Sequence, residues 1–368
     1  MHIGIDARLT HYRTGGISTY IRHLVWELEK LDQQNDYTVF HSRKAGAAKT
    51  IPQRGTRANL WTPAHHRIER TALSVEIARF GLDVFHSPDF IPPRRGARRH
   101  VITVHDLTFL HYPQFLTSQS RRYYNAQIHG AVRHADHILT ISQSSHDDIV
   151  NMLGVPPEKI SIHLLAAEDN FTPQSSDVVA QMRRELDLPA EYVLFVGTLE
   201  PRKNIDGLLT AYRQLLQSLP DAPALVLAGN RGWLLDDTLH EIESMQRHGR
   251  VIWREKIPQQ WMPALYSGAT AHVMPSFYEG FGLPALEAMA CGTVPIVSNR
   301  SSLPEVVGDV GLQIDPESPE DMAQAMYTAL TDATWRTQQE QAGIERAAQF
   351  SWQDAAQVAL AAYRKVMS

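Results

Sequence analysis

The chain has 368 residues, of which 43% are hydrophobic and 20% are charged, and its formal net charge is −5. This length exceeds one ordinary hydrophobic core and predicts two domains of similar size. A single cysteine, Cys291, excludes an intrachain disulfide framework and indicates a reducing compartment. No apolar run approaches the roughly 18 residues of a membrane-spanning helix, and Asp6 and Arg8 fall too early for the apolar core of a signal peptide. We therefore expect a soluble, cytoplasmic protein.

Charge is distributed unevenly along the chain. Residues 1–170 contain 20 Lys and Arg against 16 Asp and Glu. One cluster in this half could attract anionic lipid headgroups or a phosphorylated acceptor: Arg94, Arg95, Arg98, Arg99 and His100. We favour a solvated loop ahead of a strand, because four arginines fall at the low end of lipid-binding clusters. Peripheral contact with the inner face of a membrane is left open, and no nucleic-acid partner is expected.

From the N-terminus onward, short apolar runs rich in β-branched residues alternate with longer amphipathic stretches. This alternation is typical of an α/β fold in which helices cover both faces of a parallel sheet. Helices are predicted at Ile17–Glu29 and Ser118–His134. The strands predicted for the first half are Ile3–Ala7, Tyr37–His41, Val84–Ser87, Val101–His105, His137–Ile141 and Ile160–Leu164.

The polar, turn-forming segment Glu168–Ser176 interrupts this pattern, and we place an interdomain linker there. The pattern then restarts and predicts a second doubly wound unit. Its strands are Tyr192–Gly197, Ala224–Gly229, Val251–Arg254, Ala271–Met274 and Val294–Ser298. The predicted domains are residues 1–170 and 171–350, followed by an amphipathic terminal helix in residues 351–368. Because ligands of such sheets bind outside the carboxyl ends of the strands, two facing units are expected to form a cleft.

Two short motifs of the first half are candidate ligand contacts. Gly15 and Gly16, in the loop Thr14–Ile17, lack side chains and permit close approach of the backbone to a ligand. A tight connection to the following helix also explains this pair. His105 and Asp106 follow the apolar run VITV, at the carboxyl end of a predicted strand where ligands gather. Taken alone, a histidine at this place is more often a structural residue.

In the second half, the strand YVLFVG is followed by a loop with two adjacent cations, Arg202 and Lys203. Arginine can bind a diphosphate through two parallel hydrogen bonds, and lysine adds a compact positive charge. Both would also offset the negative charge that develops on a departing nucleotide. An Arg-Lys pair alone is usually only solvated, so its interpretation depends on the motif that follows.

The segment Ser276–Gly292, SFYEGFGLPALEAMACG, is the most informative part of the sequence. It spaces Glu279 and Glu287 across a glycine-bearing turn, and Pro284 suits the first turn of a helix. The helix N-terminus would favour an anion such as a diphosphate, while the two carboxylates can accept hydrogen bonds from sugar hydroxyls. A lone glutamate is usually a surface or capping residue, but the whole string predicts a site for a phosphorylated sugar.

Other common catalytic and metal-binding patterns are absent from the sequence. His65, His66 and His86 have no partner at metal-ligand spacing, and no Asp-x-Asp or Cys/His cluster occurs. Ser142 is explained by helix capping. There is no G-x-S-x-G, P-loop or intact G-x-G-x-x-G motif, so hydrolase, NTPase and dehydrogenase functions lose their usual support. We expect no metal and no cofactor.

The string EGFGLPALE, with seven residues between its two glutamates, resembles the E-x7-E motif of the retaining family-4 nucleotide-sugar glycosyltransferases. The resemblance implies the GT-B fold, which has two facing Rossmann-like doubly wound domains with a cleft between them. It extends over nearly the whole chain, because the glycine loop, the His-Asp pair, the RKN loop and Ser302–Val306 fall in the family's order. Only the E-x7-E block is specific by itself.

The resemblance assigns roles to the candidate residues. It implies that Glu279 lies against the donor sugar and that Glu287 binds the nucleotide ribose. The other contacts that it implies are Gly15 and Gly16 at the donor phosphate and the acceptor, His105 at the donor sugar, Arg202 and Lys203 at the diphosphate, and the backbone of Gly280, Phe281, Gly282 and Leu283 at the sugar. Thr198 stands where many members have arginine, and Arg202 is expected to take over that role. The terminal helix is expected to cross back to the N-terminal domain.

The implied activity is metal-independent transfer of a hexose from a nucleoside diphosphate sugar to a saccharide or lipid-linked acceptor in polysaccharide or glycolipid synthesis. The variant GTLEPRKN is familiar from bacterial members that transfer mannose, which makes GDP-mannose the first expectation, ahead of UDP-glucose and UDP-N-acetylglucosamine. Two alternatives remain, a non-catalytic module that binds a nucleotide sugar and a GT-B-fold epimerase or phosphorylase. The sequence does not indicate the oligomeric state.

Overall fold

The computed structural model describes residues 1–12, 15–46, 55–66, 68–233 and 236–368. The chain divides into two compact units, Met1–Leu165 with Ser351–Ser368, and Ala166–Phe350. The segment Glu168–Ser176 therefore belongs to the second unit. Its polar, turn-forming composition does not make it a free linker, because Phe171 within it is buried in a hydrophobic cluster of that unit.

The first unit is built on a parallel sheet with the strand order β3-β2-β1-β4-β5-β6-β7 in the described residues. The strands are β1 His2–Asp6, β2 Asp36–Ser42, β3 Thr56–Leu60, β4 Leu82–Ser87, β5 Ala97–Val104, β6 His137–Thr140 and β7 Ile160–Ile162. Strands β1, β4, β5 and β6 are flanked on both sides, and their apolar runs are almost fully buried.

Helices connect these strands. They are α1 Leu9–Tyr12, α2 Gly16–Leu31, α3 Glu69–Ile77, α4 Thr108–His111, α5 Ser118–His134 and α6 Gln143–Leu153. Hydrophobic side chains recur along α2 with helical spacing, and Ile21, Leu24 and Leu28 are completely buried. The amphipathic pattern thus fixes which face of this helix is buried.

The second unit repeats this architecture around a parallel sheet of order β10-β9-β8-β11-β12-β13 in its described residues. The strands are β8 Tyr192–Val196, β9 Ala224–Ala228, β10 Val251–Arg254, β11 Ala271–Met274, β12 Pro295–Ser298 and β13 Leu312–Ile314. Its helices are α7 Ser176–Leu186, α8 Ile205–Ser218, α9 Asp236–Arg247, α10 Met262–Ser267, α11 Leu283–Ala290, α12 Leu303–Val307, α13 Pro319–Thr331 and α14 Ala333–Ala347. The predicted pair of doubly wound α/β units is confirmed.

Two strands were missed by the sequence prediction, Thr56–Leu60 and Leu312–Ile314. Both lie at the edge of their sheet, where one side of the strand has no neighbour. Edge strands need less apolar surface, and both segments are partly polar with incomplete burial. The hydrophobic pattern that indicated the central strands is therefore weak at these edges.

The last helix, α15 Trp352–Lys365, belongs to the first unit. The Trp352 ring stacks on His23 of α2 with 4.7 Å between ring centroids. Tyr363 is buried, and its hydroxyl lies 2.7 Å from Nδ1 of His86 in β4. These contacts integrate the helix into the core of that unit. None of the described helices has the length and apolar character needed to cross a membrane.

Candidate functional site

A cationic turn follows the central strand β8 of the second unit. After the strand, residues Pro201–Lys203 form a single 3₁₀ turn, and Asn204 adopts a left-handed conformation with φ 58° before α8 begins. The Asn204 side chain donates to the carbonyl oxygen of Pro316 at 2.6 Å. Asparagine tolerates this backbone conformation better than most residues, so it fixes the turn that presents Arg202 and Lys203.

Both cations contact Glu279 directly. Nζ of Lys203 lies 2.6 Å from Oε1 of Glu279, and Nη1 of Arg202 lies 2.7 Å from Oε2 of the same carboxylate. Arg202 also pairs with Glu200 at 2.6 Å and donates to the carbonyl oxygen of Tyr278 at 2.6 Å. Lys203 and Glu279 are buried, which makes this cluster sensitive to the loss of either partner.

Glu279 is a carboxylate across the ordinary pH range. Burial alone would raise its pKa, but the positive charges of Arg202 and Lys203 outweigh burial and lower the pKa to about 2. Two cations and two carboxylates thus neutralise each other within this cluster. An incoming anion such as a diphosphate would compete with Glu279 for the two cations.

A left-handed glycine starts the helix that follows Glu279. Gly282 has φ 108°, and a Cβ at this position would lie 2.6 Å from Cδ2 of Leu303. Only glycine fits this turn without strain. The Ser302 hydroxyl lies 2.9 Å from the carbonyl oxygen of Glu279 and 2.8 Å from that of Phe281, so it stabilises the turn between these two residues. Gly280 and buried Phe281 complete the turn ahead of α11, and Leu283 is the first residue of that helix.

Glu287 lies one turn from the end of α11, within hydrogen-bonding distance of another helix. The Tyr266 hydroxyl of α10 donates to its Oε2 at 2.8 Å. Burial raises the pKa of Glu287 to about 7, because the hydrogen bond from Tyr266 only partly offsets the loss of solvation. Glu279 and Glu287 therefore differ sharply in acidity, one held as a carboxylate and one poised to titrate near neutral pH.

The remaining predicted residues lie in the first unit. Gly16 begins α2, and exposed Gly15 precedes it with φ 150°, whereas Thr14 of the same loop lies outside the described residues. His105 follows β5, and its Nε2 donates to the carbonyl oxygen of Pro88 at 2.8 Å. Burial lowers the pKa of His105, so the ring is neutral with its proton on Nε2. The ligand contacts expected of Gly15, Gly16 and His105 stay predictions.

The sequence analysis assigned no role to three residues that shape the cluster. Glu200 pairs with Arg202, Tyr266 holds Glu287, and Ser302 fixes the turn after Glu279. Glu200 stands two residues before Arg202, a spacing that gave no signal by itself. Tyr266 lies in a short helix with no motif, and its role depends on tertiary contact alone.

Positive charge at this site comes from side chains. In the described ranges, no group of three or more His, Cys, Asp or Glu side chains is arranged to hold a metal ion. Arg202 and Lys203 provide two fixed cations beside a helix start, which is a suitable setting for a diphosphate.

Two family models match the chain, one for each half. The model "Glycosyltransferase Family 4" matches residues 14–163, and the model "Glycosyl transferases group 1" matches residues 180–346. Among curated relatives, the O-antigen chain mannosyltransferase B of Escherichia coli is 33% identical over 96% of this chain and 97% of its own length. A D-inositol 3-phosphate glycosyltransferase of Thermobifida fusca is 31% identical over 63% of the chain and 56% of its own length.

Solved structures share the fold over the whole chain. WaaG, a glycosyltransferase involved in lipopolysaccharide biosynthesis, matches with a TM-score of 0.76 at 15% identity and covers 100% of both chains. Anabaena HepE in complex with UDP-glucose matches with a TM-score of 0.76 at 18% identity, covering 100% of this chain and 99% of its own. At these identities, the structural matches show the fold alone. Together with the family models and the full-length relative, they place the chain in the group 1, family 4 glycosyltransferases of the GT-B fold, and the protein is a glycosyltransferase.

Proposed function

We propose that this enzyme transfers mannose from GDP-mannose to a hydroxyl of a saccharide or lipid-linked acceptor, with retention of configuration and without a metal ion. The observation that supports the donor site is the contact of half-buried Arg202 and buried Lys203 with buried Glu279, at the start of a helix. The choice of mannose is supported by the full-length relative, whose name is O-antigen chain mannosyltransferase B. That relative also favours polysaccharide synthesis as the process.

In the proposed mechanism, the donor diphosphate replaces Glu279 as the ion-pair partner of Arg202 and Lys203. The two cations then stabilise the negative charge that grows on the departing nucleotide, which is the role a metal ion has in other transferases. Once it is released from the cations, the Glu279 carboxylate accepts hydrogen bonds from the sugar hydroxyls. The backbone N–H groups of Gly280–Leu283 donate hydrogen bonds to the sugar. Glu287 binds the ribose hydroxyls at the far side of the diphosphate.

Retention follows from attack on the same face that the diphosphate leaves. The acceptor oxygen forms a bond to the anomeric carbon while the bond from that carbon to the phosphate oxygen breaks, and the acceptor proton passes to that oxygen. In this mechanism the Glu279 carboxylate is already bound to the sugar hydroxyls, and Nε2 of His105 donates to the carbonyl oxygen of Pro88. The oxygen of the leaving phosphate lies on the attacked face, next to the acceptor hydroxyl, so we assign the proton to it.

The donor site can be tested by thermal stabilisation with GDP, UDP, ADP and their sugars, without added metal. A ligand at about 100 times its dissociation constant should stabilise the protein by about 2.7 kcal/mol. We expect the guanine series to stabilise the protein, and Lys203→Ala and Glu287→Ala to remove the shift. Glu243→Gln, at an exposed position of α9, is the control and should keep it. A shift by none of the ligands, or one that survives both site variants, would refute this donor site.

A binding titration with GDP-mannose, carried out at pH 8 and at pH 6, should show the ionisation of Glu287. Ribose hydroxyls donate to the carboxylate form, so binding requires the proton to leave a group whose pKa is about 7. We expect the dissociation constant to rise about tenfold from pH 8 to pH 6. A sugar nucleotide is the right probe, because its diphosphate lacks the terminal phosphate that titrates near pH 6. Glu287→Gln should bind more weakly and lose this pH dependence.

We propose a pocket of the first unit as the place where the saccharide acceptor binds. The pocket has a volume of about 590 Å³, within the usual range for small-molecule sites. Its lining is aromatic and polar, with no carboxylate: His65, His66, Gln119, Ser120, Arg122, Tyr123 and Tyr124. A sugar has apolar faces, which can pack on the aromatic rings of this pocket, and hydroxyls, which can bind to its polar side-chain atoms.

Removing an aromatic ring from this pocket should weaken binding of the acceptor but not of the donor. For Tyr124→Ala we expect the KM for a saccharide acceptor to rise about tenfold, a typical loss for a tyrosine at a binding hot spot. Stabilisation by GDP should be unchanged, because the donor site lies in the second unit. Tyr327→Ala, at an exposed position of α13, is the matched control. An unchanged acceptor KM in Tyr124→Ala would exclude the pocket.

A further inference from the structure

The three most exposed large hydrophobic side chains of the described residues lie on or next to one helix of the first unit, α3. Trp61, Ile68 and Val75 are 71%, 61% and 75% exposed, whereas no other such side chain in the described part of the chain exceeds 42%. Single exposed hydrophobic residues are common on protein surfaces and need no explanation. Three of them at one place indicate a surface that contacts something apolar.

Helix α3 presents an apolar stripe to solvent. Ile68 precedes its first turn, Val75 lies on the helix and Ala78 directly follows it, with the short polar side chain of Thr71 between Ile68 and Val75; all four are exposed and are spaced by three or four residues. The opposite face of the helix, with Leu73 and Ile77, is completely buried in the unit. A helix at the surface normally has charged residues on its outer face, so this stripe departs from the usual amphipathic pattern.

Hydrogen bonds tie flanking segments to both sides of α3. On one side, the Ser74 hydroxyl accepts from the backbone N–H groups of Arg94 at 2.9 Å and Arg95 at 3.1 Å. On the other side, the Glu76 carboxylate accepts from the backbone N–H of Trp61 at 2.7 Å. Trp61, the stripe and the segment that contains Arg94 and Arg95 thus form one continuous surface, which we call the α3 face.

The α3 face is basic. Arg43 lies over the Trp61 ring, 4.0 Å from its centroid, and Arg79 is exposed just beyond the end of the helix. Arg94 and Arg95 are exposed as well. Glu69 is buried against Arg8 and adds no surface charge, whereas the half-buried Glu76 carboxylate offsets one of the four arginines. Four exposed arginines bordering an apolar stripe reach the size of clusters that bind anionic lipids.

The arginine cluster expected from the sequence is divided in the structure. Arg98 and Arg99 lie in β5 and pair with Asp83 and Asp136, each at 3.3 Å, and His100 is buried. Alternation of side chains along the strand separates these residues, which neighbour each other in sequence. Only Arg94 and Arg95 of that cluster belong to the α3 face.

We propose that the α3 face docks the enzyme onto an anionic phospholipid surface. Trp61, Ile68 and Val75 would enter the boundary between headgroups and acyl chains, where aromatic and aliphatic side chains of interfacial helices lie. The arginines would bind lipid phosphates, with guanidinium groups that form paired hydrogen bonds. This inference does not depend on the identity of the donor or acceptor, because it concerns a surface that none of the proposed substrate contacts uses.

The test is co-flotation of the purified full-length enzyme with vesicles of phosphatidylcholine alone or mixed with 30% phosphatidylglycerol. We expect binding only to the anionic vesicles, with a decrease as salt rises from 0.1 to 0.5 M. Each arginine near an anionic surface contributes about fivefold, so Arg94→Gln with Arg95→Gln should weaken binding roughly 25-fold. Ile68→Ser with Val75→Ser should reduce it on the same vesicles. The controls are Arg184→Gln and Met152→Ser, at exposed positions outside this face.

Circular dichroism and the thermal midpoint separate loss of binding from loss of folding in each variant. The proposal is overturned if neutral and anionic vesicles bind equally, or if the α3-face variants bind like wild type. Sedimentation velocity provides the other decisive outcome. A dimer that the same variants dissociate, without vesicle binding, would assign the face to a second copy of the chain.

Discussion

Glu279→Gln is expected to bind GDP about tenfold more tightly than the wild type while losing at least about 99% of its turnover. The reason is that Glu279 neutralises Arg202 and Lys203, with ion pairs of 2.7 and 2.6 Å. Glutamine has the same shape but no charge, so the diphosphate no longer competes for the two cations. Turnover falls because the proposed carboxylate contact with the sugar is lost.

The same substitution should lower the stability of the protein without ligand. Breaking a buried ion pair leaves an uncompensated charge and typically costs about 3–5 kcal/mol. Bound diphosphate supplies the missing negative charge, so the thermal shift caused by GDP should be larger in the variant than in the wild type. Calorimetric titration and thermal unfolding, with and without GDP, measure both effects. Weaker GDP binding together with an unchanged ligand-free midpoint would contradict the proposed competition.

A second large effect is expected at acid pH, where the first unit should unfold before the second. Burial lowers the pKa of several histidines of the first unit: to about 4 for His41, His100 and His137, to about 3 for His163, and well below the ordinary value for His86. In the second unit, the pKa of His272 is lowered to about 3. The difference between the units arises because 15 of the 18 histidines lie in residues 1–170.

The direction of this effect follows from linkage. A histidine with a lowered pKa is neutral in the folded unit but takes up a proton near pH 6.5 when unfolded. The stability is therefore complete above pH 6.5 and falls as the pH drops toward 4. A pKa that is 6.5 in the unfolded chain and about 4 in the folded unit corresponds to roughly 3 kcal/mol per histidine, so a few of them can remove the 5–15 kcal/mol of a typical domain. We expect unfolding of the first unit between about pH 6 and pH 4.5.

Hydrogen exchange with mass spectrometry, measured across this pH range, assigns the loss of protection to each unit. His41→Leu and His272→Leu form a matched pair, because neither ring nitrogen of either histidine has a hydrogen-bond partner among the described residues. His41→Leu should lower the acid midpoint of the first unit only, and His272→Leu should act on the second unit only. Simultaneous unfolding of both units, with no effect of either variant, would contradict the assignment.

The sequence predicted the central strands because they are apolar runs that are buried on both faces. It missed Thr56–Leu60 and Leu312–Ile314, since edge strands can be partly polar. In the site, the sequence indicated Arg202, Lys203 and Glu279 as separate contacts. That they neutralise one another could not be predicted, because Lys203 and Glu279 are 76 residues apart and meet only through the packing of adjacent strands β8 and β11. The pKa of Glu287 likewise depends on Tyr266, which no motif marks.

The position of α15 has a consequence for biosynthesis. Because Trp352 and Tyr363 complete the core of the first unit, that unit is discontinuous in sequence. A ribosome that adds about 5–20 residues per second must translate all of Ala166–Phe350 before the first unit can close, which takes on the order of ten seconds or more. During this interval the surface that receives α15 is uncovered on the nascent chain. Early chaperone contacts should therefore concentrate on α2 and β4, even though they are among the first segments to emerge.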